Sequence, residues 1–272
     1  MLSTSTKIKS PSLMLMMMEG RAVWELGAYV ASTPLFKRLP SGDGHPVLVL
    51  PGLAATDAST KPLRKFLRDR NYTPYAWELG RNLGLRDGLL EGMLARIDDI
   101  FAQEGKKISL IGWSLGGVYA REIAKLRSEK VRSVITLGSP HSGDIHASNA
   151  RRFYEYVAGH KVDNPPIKTR LRQAPPVPST SIYTKTDGVV AWQNCCQEMS
   201  HDEVQVEQTE NIRVMGSHCG LGVNPSVLFA IADRLAQAEG EWTPFEVSGI
   251  RKPFFSSDPF TGPLSETQTQ VN

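Results

Sequence analysis

The chain has 272 residues, with 40% hydrophobic and 22% charged residues and a formal net charge of +3. These are ordinary globular values that permit a substantial core. The mild charge, spread over scattered Lys and Arg, gives no reason to expect a nucleic-acid partner. Three cysteines (Cys195, Cys196 and Cys219) exclude a disulfide-rich scaffold. One of them stays unpaired within a monomer, which points to a reducing compartment; a single bridge from Cys195 or Cys196 to Cys219 stays open.

From the start of the chain, Lys7 and Lys9 precede the apolar run Leu13–Met18, an arrangement faintly like a signal peptide. The run is short of an h-region, and Glu19-Gly20-Arg21 follows it in place of a small-residue cleavage site. Residues 1–44 are therefore expected to be a disordered lead-in followed by a helix over 17–33, with Ala22, Leu26, Tyr29 and Val30 on its packed face and Pro34 as its end. A cytoplasmic location is expected, with secretion as the alternative. No apolar run approaches the ~18 residues of a membrane-spanning helix.

Pro46–Leu50 is a short continuous apolar run, as in a parallel strand covered on both faces. A helix follows, with Pro62 in its first turn and Leu63, Phe66 and Leu67 inward. A strand is expected over 73–77 and a helix over 87–103, with Met93, Ile97 and Ile100 among its apolar stripe. Strand 107–112, a helix from Leu115 to about Arg127 burying Val118, Tyr119, Ile123 and Leu126, and strand 131–137 come next. The regular alternation predicts an α/β fold: a mainly parallel sheet of about six strands flanked by helices.

The alternation breaks over 143–178. Arg151–Val157 suggests a helix, and Pro165-Pro166 and Pro175–Pro178 suggest constrained irregular chain. A connection this long is expected to be a lid or cap insertion. Strands resume at 180–184 and 211–215, a helix closes the core over 224–238, and from 240 onward a Pro- and Ser-rich tail drapes over the core or stays mobile. The expected units are thus 1–44, a core of 45–142 with 179–240, the insertion 143–178, and the tail 241–272.

The informative motif is Gly112-Trp113-Ser114-Leu115-Gly116, set between a strand and a helix. Alone the pattern is common; in that setting it describes a nucleophile elbow, with the serine in a strained turn above the sheet edge. A serine hydroxyl needs a base, and the base needs a group that fixes its tautomer. Asp187, in Thr184-Lys-Thr-Asp187-Gly188, lies just past a strand and is the expected acid, with Asp144, Asp202 and Glu203 as fallbacks. Of six histidines, His218 follows the last strand in a glycine-flanked loop before a helix. His45 precedes the first strand, and His141, His146, His160 and His201 come too early. The oxyanion donors are expected to be the backbone N–H groups of Leu115 and of Leu53, in the loop Pro51-Gly52-Leu53.

The chain resembles bacterial lipases and esterases of the α/β-hydrolase superfamily over roughly residues 45–238. The resemblance rests on Leu50-Pro-Gly-Leu53, the elbow, Leu137-Gly-Ser-Pro-His141, Asp187-Gly-Val-Val190 and Gly216-Ser-His218. It implies a serine hydrolase that cleaves carboxylic esters through Ser114, His218 and Asp187 and an acyl-enzyme, without metal or organic cofactor. His141 would be structural or pocket-lining. Trp113, Trp192 and the insertion aromatics Phe153, Tyr154 and Tyr156 fit either the lining of an apolar acyl pocket or plain core, so they set no chain length. Pro51-Gly52 departs from the His-Gly of many true lipases, which weakens any claim to long-chain triglycerides. The expected partner is a small-molecule ester or acyl-lipid substrate. Two rival readings are an acyltransferase using the same site and a hydrolase-fold binding protein without turnover. A dehalogenase or epoxide hydrolase would need Asp at the elbow.

Overall fold

A computed structural model describes residues 8–142, 147–149, 154–155, 171–197, 208–246, 249, 252, 255 and 262–263. In chain order the elements are α1 (Leu13–Met17), a 3₁₀ turn (Met18–Arg21), α2 (Ala22–Phe36), β1 (Pro46–Leu50), α3 (Lys61–Asp69), β2 (Thr73–Ala76), α4 (Leu89–Glu104), β3 (Ile108–Trp113), α5 (Leu115–Leu126), β4 (Val131–Leu137), β5 (Ser179–Tyr183), β6 (Thr209–Arg213), α6 (Pro225–Leu235) and β7 (Gly262–Pro263). The strands form one sheet in the order β2-β1-β3-β4-β5-β6-β7. Six pair in parallel, and only the two-residue β7 runs antiparallel, against β6.

Alternation within each strand explains why helices cover both faces. On β1, Val47 and Val49 pack into one core with Leu63, Phe66 and Leu67 of α3 and Val227, Leu228 and Ile231 of α6. Leu48 and Leu50 point the other way, into a second core with Met93, Ile97 and Ile100 of α4 and Tyr119 and Ile123 of α5. A strand buried on both sides reads as an unbroken apolar run, and Pro46–Leu50 is buried throughout. Leu126, expected inward, is exposed at the last residue of α5, whose buried face is carried by Ile123 and Ala124 in that turn.

The register aligns the carboxyl ends of the strands. Leu50 pairs with Gly112, Trp113 with Leu137, Leu137 with Ile182, and Tyr183 with Arg213. The loops that follow therefore emerge along one edge. The strand order reverses between β1 and β3, and the crevice at such a switch point is where open α/β sheets bind ligands.

The N-terminal segment departs from expectation. Leu13–Met17 is a short helix capped by Ser12, whose hydroxyl accepts from Leu15 N at 3.3 Å. Pro34 lies inside α2, which continues to Phe36. The lost N–H falls in the final turn, and Phe36 is drawn in by the Tyr29 and Phe66 rings, at 5.7 and 5.3 Å. Leu26 and Val30, expected on the packed face, are exposed. The described part of the tail drapes: Phe245 and Phe255 are buried, their rings 4.9 Å apart. Most of the expected insertion, with Phe153 and Tyr156, lies outside the described residues, as do Asp144, Asp202, Glu203, His146, His160 and His201.

Candidate active site

Ser114 stands between β3 and α5 with φ 52° and ψ −121°, a conformation that a residue with a side chain rarely adopts. The turn is possible because its neighbours lack side chains. A Cβ on Gly112 would lie 2.3 Å from the Gly117 backbone, and one on Gly116 would lie 2.4 Å from the Leu50 carbonyl oxygen. The Ser114 N–H donates to Leu137 O at 2.8 Å, which ties the elbow to the end of β4.

Asp187 follows β5 and is almost fully buried. Its Oδ1 accepts from the N–H groups of Val189 and Val190 at 2.8 and 2.7 Å, while Oδ2 is 2.6 Å from Nδ1 of His218. Residues 31 apart along the chain are thus joined by one short hydrogen bond, in a site shielded from water. The pair sits over the end of β4: a Cβ on Gly138 would come within 3.0 Å of His218 Nδ1 and 3.3 Å of Asp187 Oδ2. Leu137 and Gly138 therefore touch Ser114 on one side and the acid–imidazole pair on the other. Trp113 makes a second link, since its indole N–H donates to His218 O at 3.0 Å. Among the described residues no hydrogen bond joins the Ser114 hydroxyl to His218. Such contacts are often long without substrate and shorten in the complex.

Burial opposes a charge on the His218 imidazole, but the charge and hydrogen bond of Asp187, with Glu19 adding to them, outweigh it and hold its pKa above the ordinary histidine value. A partnered Nδ1–H leaves Nε2 with its lone pair free to accept a proton.

The loop after β1 lies against the serine, since a Cβ on Gly52 would be 3.3 Å from Ser114 Cβ. Neither the Leu53 nor the Leu115 N–H has a hydrogen-bond acceptor among the described residues. This loop is held by a residue that the sequence did not single out. Asn82 is fully buried; its side-chain amide donates to Pro51 O at 2.8 Å, and its backbone exchanges hydrogen bonds with Ala54 and Ala55 at 2.6 and 2.9 Å. The only signal was a polar residue in the glycine-flanked stretch Gly80–Gly84.

A second unanticipated group comes from the N-terminal helices. Glu19 accepts from the backbone N–H groups of Gly188, His218 and Cys219 at 2.8, 3.1 and 2.8 Å. Arg21 donates to the carbonyls of Thr186 and Gly216 at 2.7 and 2.8 Å. Glu25 binds the N–H and hydroxyl of Ser217 at 2.7 and 2.6 Å and the Asn224 amide at 2.9 Å. The loops bearing Asp187 and His218 are thus braced by three charged side chains that arrive from 165 to 200 residues away along the chain. Three charges inside an otherwise apolar segment were the available clue, because a charge in such a stretch calls for a partner.

His141 is buried, with Nε2 3.1 Å from the Ser181 hydroxyl; burial, with the Arg121 and Lys125 charges, keeps its pKa well below the ordinary value. Trp192 stacks on Tyr183 with ring centres 5.7 Å apart, and the Lys185 ammonium lies 4.7 Å from its ring. His45 lies at the opposite edge, beside Asp43 and Ser109. Cys195, Cys196 and Cys219 are joined by no disulfide, so the bridge left open by the sequence is not formed. Among the described residues no cluster of His, Cys, Asp or Glu is arranged to hold a metal.

Comparison with known proteins agrees with this architecture. Triacylglycerol lipases of Pseudarthrobacter phenanthrenivorans and Burkholderia plantarii are each 31% identical to it over 112 residues. That stretch is 38% of this chain and 35% and 31% of theirs, so the match spans about a third of each relative. One of two metagenome-derived lipolytic enzymes superposes with a TM-score of 0.52 at 12% identity, covering 72% of this chain and 93% of that one. Such a likeness establishes the α/β-hydrolase fold. A family model described as palmitoyl protein thioesterase matches residues 46–202, more than half of the chain and a span that includes Ser114 and Asp187. The chain belongs to the palmitoyl protein thioesterase family, on a lipase/esterase-like α/β-hydrolase fold.

Proposed function

We propose that the protein is a serine hydrolase that cleaves carboxylic esters by acyl transfer through Ser114, His218 and Asp187. The observation that carries this reading is the strained serine at the sheet edge, one backbone contact away from a buried Asp–His pair. His218 Nε2 takes the Ser114 proton as Oγ attacks the acyl carbon. The Asp187 carboxylate holds the imidazole by Nδ1 and stabilises the cation that forms. The unpaired N–H groups of Leu53 and Leu115 receive the developing oxyanion. His218 then gives the proton to the leaving alcohol, and a water repeats the sequence on the acyl-enzyme, restoring Ser114 and releasing the acid. Trp113 and Trp192 are proposed to border the acyl side of the site, with His141 as support beneath it.

Acyl thioesters are the second substrate class. The family match favours them, and the same steps apply with a thiol as leaving group. The test is a hydrolysis series of matched oxygen esters and thioesters, short to long in acyl chain, with wild type and Ser114→Ala. Turnover lost in Ser114→Ala supports the reading, and the ratio of the two series assigns the substrate class. Product analysis with a competing alcohol separates hydrolysis from acyl transfer. Turnover that survives in Ser114→Ala refutes the reading.

A further inference from the structure

The charged side chains of the N-terminal helices all turn inward, to the loops of the candidate site. What they leave outside is apolar. Among the described residues, every exposed large apolar side chain except Leu126 and Met215 lies on the segment Leu13–Leu35. Trp24 is 82% exposed, Val23 73%, Met17 71% and Val30 65%. The exposed positions of α2 are 23, 24, 26, 27, 28, 30, 31, 33, 34 and 35, of which Thr33 alone is polar and none is charged; positions 23, 24, 27, 30, 31, 34 and 35 recur at helical spacing as one continuous apolar face. A helix resting on a soluble domain carries polar residues there, and a contiguous exposed apolar face of this kind marks a docking surface.

The charge around this face identifies its occupant. Residues 1–38 hold five Lys and Arg against two Glu, a net +3 equal to the net charge of the whole chain. The two glutamates are the half-buried Glu19 and Glu25, committed to the loops, whereas Lys9, Lys37 and Arg38 are exposed at the two ends of the apolar stretch. An apolar face carrying Trp, Leu and Met and flanked by basic residues suits the interfacial plane of an anionic bilayer. A second copy would bring two such basic rims together. No helix among the described residues is long and apolar enough to cross a membrane, so the segment would lie on the surface.

We propose that α1 and α2 form a docking surface for anionic lipid bilayers, with Met17, Val23, Trp24 and Val30 entering the interface and Lys9, Lys37 and Arg38 meeting the headgroups. Glu19 and Arg21 of the 3₁₀ turn between these helices, with Glu25 of α2, brace the loops of Asp187 and His218, so docking holds the site at the lipid surface. Binding needs no turnover and stands apart from the proposed chemistry.

The test is co-sedimentation of the full chain with vesicles of phosphatidylcholine alone and of phosphatidylcholine mixed with phosphatidylglycerol. Wild type and Ser114→Ala should both pellet with the mixed vesicles, less at high salt, and poorly with phosphatidylcholine alone. Val23→Glu/Val30→Glu and Lys37→Glu/Arg38→Glu should each lower partitioning by at least about tenfold. Their circular dichroism and their hydrolysis of a short soluble ester should match wild type, since these positions are solvent-facing and outside the site. Equal pelleting of the Val23→Glu/Val30→Glu variant, or wild type left in the supernatant with both vesicles, overturns the proposal. So does a dimer in sedimentation velocity that this variant converts to monomer, since that outcome assigns the face to a second copy.

Discussion

At the scale of single residues, the proposed chemistry rests on a hydroxyl, an imidazole and a carboxylate. Ser114→Ala should lower kcat by at least about 10³-fold with an unchanged melting curve; His218→Ala should lower it as much but also lower the melting temperature, because the buried Asp187 carboxylate loses its partner, and Asp187→Asn should lower kcat by on the order of 10³–10⁴. Steady-state kinetics beside calorimetry checks all three. Because Asp187 and Glu19 raise the His218 pKa above its ordinary value near 6.5, the acid limb of kcat/KM should lie above that pH. Glu19→Gln should move the limb to lower pH. Stability runs the other way. A folded-state pKa above the unfolded one contributes stability that is complete below the unfolded value and is lost as pH rises through the folded one. Over one window, upward from about 6.5, activity should therefore increase while the melting temperature declines. Asp187→Asn should flatten that decline.

At the scale of elements, two devices hold these groups in place, and each can be broken apart from the chemistry. Glu25→Ala leaves the Ser217 N–H, the Ser217 hydroxyl and the Asn224 amide without their carboxylate, at about 1–3 kcal/mol for each group left unsatisfied. At roughly 2–4 °C per kcal/mol for a chain of this size, the melting temperature should fall by at least about 6 °C, and kcat by about tenfold or more as the His218 loop shifts. Asn82→Ala frees the loop carrying Leu53. Its expected signature is a fall of about 10–10² in kcat with KM nearly unchanged, since the loop acts on the transition state. A KM effect alone would make Asn82 a binding residue. What was legible in the sequence follows the same division. The elbow could be read because its glycines stand at fixed local spacing around Ser114: Gly112 answers to the Gly116–Gly117 backbone, while the partner of Gly116, the Leu50–Pro51 backbone, comes from the neighbouring strand end. The brace could not. Nothing local to Glu19, Arg21 or Glu25 says which distant carbonyls and N–H groups they meet, and a helical period measured on apolar residues alone put Val30 on the wrong side.

At the scale of the whole molecule, the parallel sheet was the readable part. Strands buried on both faces leave unbroken apolar runs such as Pro46–Leu50, and alternation with helices fixes parallel pairing with little freedom. Strand ends moved by a residue or two, because they are set by register with neighbours that composition does not reveal. The tail was the hard part: its contacts are made by single aromatics, Phe245 and Phe255, with no period to announce them. The order Ser114, Asp187, His218 along the chain becomes proximity only because β3, β5 and β6 end in register on one edge.

Labelling of the folded protein with a fluorophosphonate reads that convergence out as a covalent bond to one serine. Peptide mass spectrometry should find one adduct, on the peptide bearing Ser114, absent after heat unfolding and strongly slowed in His218→Ala. A folded protein that takes no label, or takes it on another residue, would contradict the account.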